Sequence, residues 1–352
     1  MSREDQRLTF PVMLKAHIIF YICLISVLPY AAQTEAASFD CSKASTPRDR
    51  LICKTPALSE LDSQLGRIYE TRRALLSSDG RELLKTSQVS WLRFVYTVCA
   101  VTGNAKIADG DRAAACIQGH YYDRLTQLNE VGRRFGPFLL NRVDLYSAKP
   151  APDESGEIAG FYTRHIAYLQ IDSATTAPAI EWNHRQKLSI NEAGFSDSND
   201  DGESDSDDES SYSLNFVNDR VLSLSKLRSS YTHGAPHGMS GTKVETIVLP
   251  EFRALTAEDI FGTNTHALPA LLTLFRKAYL AEGWPSAGSI AMEMQRVVDK
   301  VVIDPKRWQL TEEGLQVPFS PYEVGCYVCS PPPVTVPWSD LKPLLGANAV
   351  VP

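Results

Sequence analysis

The sequence predicts an α + (α+β) chain: a small disulfide-stapled helical domain followed by an antiparallel-sheet domain with grouped helices. Three observations predict it. Four cysteines (Cys41, Cys53, Cys99 and Cys116) sit within a stretch that carries the apolar periodicity of helices. After Gly136-Pro137 the pattern changes to short β-rich runs bounded by turn residues. An uncharged apolar leader precedes both, and it sets the redox conditions under which the cysteines act.

Residues 1–36 read as a signal peptide. Ala16 to Ala32 contains no Asp, Glu, Lys or Arg, follows Lys15, and leads to small residues at Thr34 and Ala36. The uncharged run of 17 residues falls short of the ~20 that span a bilayer comfortably, so no stable membrane span is expected after processing. A periplasmic or secreted location follows. Loss of Cys23 with the leader leaves six cysteines, an even number suited to a disulfide framework. The formal charge of −7 argues against nucleic acid as a partner and for basic ones.

Residues 38–132 form the helical domain. Leu58, Leu61, Leu65, Ile68, Leu75 and Leu76 largely follow one helix face from Pro56, and Asp79-Gly80 ends that helix. A second helix runs through Leu84, Trp91, Leu92, Val95 and Cys99, and a third through Ala113, Ile117, Tyr121, Leu125 and Leu128. Four cysteines permit three pairings. Two antiparallel helices favour Cys53–Cys99, leaving Cys41–Cys116.

Ser38-Phe39-Asp40-Cys41, Arg50-Leu51-Ile52-Cys53, Leu61-Asp62, Ile68-Tyr69, Gln88-x-x-Trp91-Leu92, Cys99, Cys116 and Tyr122-x-Arg124-Leu125 resemble the N-terminal domain of LprI-type lysozyme inhibitors. The resemblance implies an exported or surface protein, with lysozyme as a partner.

Residues 133–139 read as a linker, and residues 140–346 as the α+β domain. Arg164 to Ile171, Tyr212 to Phe216, Val221 to Leu224 and Thr242 to Ile247 read as strands, and Leu268 to Tyr279 and Ile290 to Val298 as helices. Trp308 to Leu310 and Leu315 to Phe319 flank a turn as a hairpin. Tyr231-Thr232-His233-Gly234-Ala235-Pro236-His237-Gly238, Leu255-Thr256-Ala257-Glu258-Asp259, Pro321-Tyr322-Glu323 and Pro337-Trp338-Ser339-Asp340-Leu341 resemble the extracellular domain of RsiV-type anti-sigma factors. That resemblance implies a lysozyme-binding-like fold. Signalling through a sigma factor does not follow, because no sigma-binding region is recognisable.

Two features depart from that pattern. Cys326-Tyr327-Val328-Cys329 precedes three prolines and reads as a disulfide-stapled loop, since a redox Cys-x-x-Cys normally begins a helix. The stretch 197–209 carries eight acids and no base, and without it the formal charge would be +1. It reads as a solvated acidic low-complexity loop, with an incomplete EF-hand-like opening at Asp197 to Gly202.

No catalytic, cofactor or metal site is expected. The chain shows no Gly-x-Ser-x-Gly elbow, phosphate loop or His-Glu-x-x-His, and His233 and His237 share a Gly/Pro turn without a third ligand. The reading is therefore a binding protein, with Tyr231, His233, Gly234, His237 and Gly238 as candidate partner contacts. Lysozyme is the expected partner; the alternative is a cell-envelope module that contacts peptidoglycan or another envelope protein.

Overall fold

The computed structural model describes residues 37–99, 110–135, 138–191, 205–249, 251–284 and 289–351. The leader 1–36 and residues 197–204 of the acidic run lie outside the described residues.

The helical module begins with a short helix set apart from the long one. Asp49 N–H donates to Thr46 Oγ1 at 3.1 Å and Thr46 N–H to the Asp49 carboxylate, a capping box that starts α1 (Pro47–Lys54). Pro56 cannot extend that helix and instead occupies the first turn of α2 (Pro56–Leu75). Ser77 caps α3 (Ser78–Val98) by accepting from Gly80 N–H at 3.1 Å, and α4 (Gly110–Asn129) completes the module. Leu58, Leu84, Trp91, Val95, Ile117 and Tyr121 interdigitate as its core.

The disulfides join Cys41 to Cys53 and Cys99 to Cys116. This corrects the expected Cys53–Cys99 and Cys41–Cys116 pairing. The break at Thr55-Pro56 is the physical reason: Cys53 ends α1, a separate helix, and faces the turn Cys41–Lys43 instead of the end of α3. Each bridge therefore ties neighbours in sequence, and closes a loop worth ~3 kcal/mol in the chain-entropy model. The third bridge, Cys326–Cys329, staples its loop as read from the sequence.

The second part is mostly antiparallel. β1 (Arg133–Phe135), β2 (Phe138–Pro152), β3 (Ile158–Asp172), β4 (Ser206–Val217), β5 (Val221–Thr232), β6 (Met239–Val248) and β7 (Arg253–Ala254) form one seven-stranded sheet in sequence order. The stretch read as a linker is thus occupied by β1 and the start of β2, which pair as a hairpin. The acidic run is also not all loop: Asp207, Asp208 and Glu209 belong to β4.

β3 and β4 are the parallel pair, and only Arg164, His165 and Ile166 of β3 pair across to β4. Their connection contains α5 (Ala177–Asn191), as a parallel crossover requires. Asn183 of α5 takes over where the ladder stops: its side-chain amide accepts from Ile171 N–H and donates to Ile171 C=O, both at 2.8 Å. A side chain thus satisfies backbone that no strand reaches.

On one face lie α6 (Ala257–Phe261), α7 (Ala267–Ala281), α8 (Ser289–Val302) and a small sheet of β8 (Gln309–Leu310), β9 (Gly314–Gln316) and β10 (Thr335–Pro337), followed by α9 (Trp338–Leu341). Phe261, Leu271, Phe275 and Trp308 anchor this core. Two buried hydroxyls couple it to the large sheet. Ser223 Oγ accepts from Leu310 N–H at 3.0 Å, and Thr246 Oγ1 donates to Trp308 C=O at 2.8 Å.

The helical module docks on β2 and β3 through buried polar groups. Asp172 at the end of β3 accepts from Ser77 N–H and Oγ–H at 2.8 and 2.7 Å, fixing the start of α3. Further along, the Asp144 carboxylate, 1% exposed, meets Arg142, His165 Nε2 (3.0 Å) and Arg124 Nη1 (3.4 Å). Ser87 of α3 closes the knot, accepting from Arg124 Nη2 at 2.9 Å and from Asp144 N–H at 3.3 Å. Helices and sheet fall in one compact unit, Glu35–Pro352.

Burial alone would raise the Asp144 pKa; the His165 hydrogen bond and the Arg142 and Arg124 charges outweigh it and hold the carboxyl well below the ordinary value. A carboxyl depressed in the folded state adds stability that is present above its unfolded pKa of ~3.9 and is lost as pH falls through the folded value. Asp144→Asn should lower stability by ~3 kcal/mol at pH 7, because Arg124 is left buried without its counter-charge. Urea unfolding should also show a shallower loss of stability below pH ~4 in the variant than in the wild type. Equal acid slopes would contradict the assignment. Peptide mapping of the non-reduced protein should return the three bridges above and no Cys53–Cys99 fragment.

Candidate functional site

The hairpin between β5 and β6 carries the five candidate contacts. Gly234 holds φ +85°, a left-handed conformation that favours glycine, and a Cβ on Gly238 would stand 3.1 Å from Ser230 O. Those two glycines let the chain reverse tightly. Tyr231, His233 and His237 are thereby left on the exposed tip, with Gly234 also exposed and Gly238 half-buried.

Strand register brings the acidic run to the same place. Asp207 pairs across to Tyr231 and Ser206 to Thr232, so the acids that open β4 form a lip beside the hairpin tip. Asp207 is built into the sheet: it accepts from Thr163 N–H at 2.8 Å, from Thr163 Oγ1 at 2.7 Å, and meets His233 Nε2 at 3.0 Å. Burial would raise its pKa, but the Thr163 and His233 hydrogen bonds prevail and lower it. His233 is consequently engaged within the chain. His237, exposed at the tip, has its Nδ1 3.0 Å from Gly238 O.

Aromatic rings surround the tip. Tyr162 of β3 packs on His233 with centroids 4.6 Å apart, and Lys149 of β2 sits over the Tyr162 ring at 5.2 Å. From the opposite side the Cys326–Cys329 loop delivers Tyr327, 4.9 Å from the His237 ring, and Tyr322, 5.4 Å from Tyr327. Arg307 fixes this loop by pairing with Glu323, whose carboxylate also accepts from Ser320 N–H at 2.9 Å. Tyr231, Met239, Tyr322, Tyr327 and Val328 are 41%, 50%, 46%, 38% and 82% exposed. Exposed tyrosine and apolar side chains gathered at one end of the sheet are what a protein contact surface offers.

Sequence reasoning found the hairpin and missed its company. Tyr162, Tyr322 and Tyr327 lie 75 or more positions from His237 and Asp207 lies in a run read as solvated loop; strand register brings in Tyr162 and Asp207, and loop packing brings in the other two. A usable signal was present: Tyr327 lies inside the Cys-x-x-Cys pair, and a staple holds what it encloses.

A second concave feature lies on the helical module. Residues quoted above for the LprI resemblance (Ser38, Asp62, Tyr69, Gln88 and Leu92) line, with Leu65, a groove of about 670 Å³ between α2 and α3. Asp62, 6% exposed, accepts from Ser38 N–H (2.7 Å), Ser38 Oγ (2.6 Å) and Tyr121 OH (3.0 Å). Its carboxylate is therefore spent on tying the N-terminal arm to the bundle. Gln88 likewise accepts from Arg124 Nε at 3.0 Å. These motif residues build the module before they offer anything to a ligand. Beside the Cys99–Cys116 bridge lies His120, but bridged sulfurs are not thiolate ligands.

Comparison with known proteins agrees for the first module. Residues 41–128 match the family described as Lysozyme inhibitor LprI. No curated protein matches the chain. Solved structures that resemble it include a DUF3298-family member from Bacteroides fragilis, at 16% identity and a TM-score of 0.39, covering 61% of this chain and 96% of that one. A DUF3298-family protein from Pseudomonas aeruginosa gives 16% identity and a TM-score of 0.41, over 60% and 96%.

Asp62→Ala should cost ~2 to 3 kcal/mol in denaturant unfolding, because Tyr121 OH and the Ser38 groups lose a charged acceptor in a buried setting. A loss under ~0.5 kcal/mol would show that the arm is held by other contacts.

Proposed function

We propose that this is an exported, non-enzymatic lysozyme-binding protein that acts as an inhibitor in the periplasm or outside the cell. The observation that carries the reading is the match of residues 41–128 to a lysozyme-inhibitor family. Two disulfides in that stretch favour an oxidising compartment, and no helix among the described residues is long and apolar enough to cross a membrane. The resemblance of residues 140–346 to RsiV-type extracellular domains points to the same partner.

The contact surface in this reading is the hairpin end of the sheet. Lysozymes are commonly basic and hold two carboxyl groups in a glycan-binding cleft. The lip of Asp205, Asp207, Asp208 and Glu209 supplies long-range attraction, and Tyr231, Tyr322 and Tyr327 supply rigid aromatic contact area. His237 contributes an exposed imidazole. His233 acts at one remove, as the residue that keeps Tyr162 and Asp207 in place. A cell-envelope module that contacts peptidoglycan or another envelope protein is the competing reading.

Purified protein lacking residues 1–36 should inhibit a c-type lysozyme in a cell-wall clearing assay. Tyr231→Ala and Tyr327→Ala should each weaken binding by ~2 kcal/mol, read as a faster dissociation rate with little change in melting temperature. Neutralising Asp205, Asp208 and Glu209 together should instead slow association at low salt, and the difference should shrink as salt rises, since exposed charges are screened over ~8 Å at physiological ionic strength. No binding to c-, g- or i-type lysozymes at micromolar concentration, with retention on peptidoglycan, would overturn the inhibitor reading in favour of the envelope module.

A further inference from the structure

The Cys326–Cys329 bridge differs from the other two in the exposure of one sulfur-bearing residue and in the length of loop it closes. Cys326 is exposed, whereas Cys99 is buried and Cys41, Cys53 and Cys116 are half-buried in the helical module. Its partners are three positions apart, against 12 and 17 for the others, so it constrains the unfolded chain least. It also belongs to no helix or strand. What it holds is a short arc carrying Tyr327 and Val328, the most exposed apolar side chain at that end of the sheet.

The arc has firm anchors on both sides. Glu323 is clamped by Arg307 before it, and after it Cys329 C=O accepts from Trp284 Nε1 at 3.0 Å while Ser330 Oγ donates to Ser320 C=O at 2.7 Å. Within the arc, the described hydrogen bond is Cys329 N–H to Cys326 C=O at 3.0 Å. Opening the bridge therefore loosens Gly325 to Val328, between the buried Val324 and the Cys329 carbonyl, and touches no helix or strand. The contacts at stake are those of Tyr327 with the His237 and Tyr322 rings.

We propose that Cys326–Cys329 is a thiol–disulfide exchange site, an exposed clip that a dithiol reductant opens and whose opening releases Tyr327 from the aromatic end of the sheet. A thiolate of the reductant attacks the exposed Cys326 sulfur and expels the Cys329 thiolate, giving a mixed disulfide. The second thiol of the reductant then displaces Cys326. The reductant leaves as its own disulfide, and its two protons pass to the two cysteine thiolates. Electrons and atoms balance without a further reactant. The consequence for partner binding rests on the hairpin end being the docking face; the exchange and the release of Tyr327 do not.

The test needs no lysozyme. The folded protein is equilibrated with graded dithiothreitol, trapped by alkylation and mapped by peptide mass, while the His237 Cε1–H NMR signal, assigned by its loss in His237→Gln, is followed in parallel. Cys326 and Cys329 should become alkylated at a reductant concentration about tenfold lower than the other four cysteines. Over that same range the His237 signal should move to its position in the Cys326→Ser/Cys329→Ser variant, as ring-current shifts from Tyr327 are lost. Opening of either helical-module bridge at equal or lower reductant would overturn the exchange site. Selective opening with an unmoved His237 signal would overturn the release of Tyr327.

Discussion

A single buried carboxylate, Asp144, holds the molecule's two halves in register. It projects from β2 into the seam with α3 and α4, where Arg124 reaches it from the helical side and Arg142 and His165 from the sheet. An isolated ion in that position would be prohibitively costly; three cationic or imidazole partners and the Ser87 hydroxyl make it a rigid cross-brace. Asp172, capping α3 from the end of β3, is the second point that fixes the angle of the seam. With both in place the helical module is a layer of the sheet and not an appended bead.

The brace matters for the candidate site because of where His165 sits. Its ring stacks on Tyr146 at 4.2 Å and contacts both Asp144 and Glu209, so it spans β2, β3 and β4. That is the stretch where β3 and β4 touch, along three residues of parallel ladder. Those few pairs decide how β4 lies against β3, and therefore that Asp207 meets Thr163, while the β4–β5 ladder sets Asp207 opposite Tyr231. A chain of local constraints thus runs from the buried seam to the acidic lip. The aromatic end is completed from elsewhere, by a loop anchored on Arg307 and Trp284.

Legibility in the sequence followed the range of the interaction. The long helices, the hairpin glycines and the loop staple were readable because each depends on residues close in sequence: a cap, a left-handed turn, two cysteines three apart. The pairing of Cys41, Cys53, Cys99 and Cys116 was misread for want of one local element, the short helix α1 that the Thr46–Asp49 capping box starts and that ends before Pro56. β2 and α5 escaped the reading altogether. β2 mixes Asn141, Arg142 and Asp144 into a strand of the core: Asp144 is buried against Arg124, 20 positions upstream in sequence, and Asn141 donates to Gly80 C=O, 61 positions upstream. The acidic run looked like solvated loop by composition, yet its last three acids are strand residues fixed by Thr163, Arg164 and His165.

The central functional claim is that one surface, the hairpin end with its acidic lip and stapled tyrosines, meets lysozyme. Hydrogen-exchange mass spectrometry of the complex locates the contact directly. Slowed exchange in peptides covering 205–209, 229–239 and 322–330, with the α2–α3 groove unchanged, is the result this account predicts. Protection confined to residues 62–70 and 88–92 would place the contact on the helical module and contradict it.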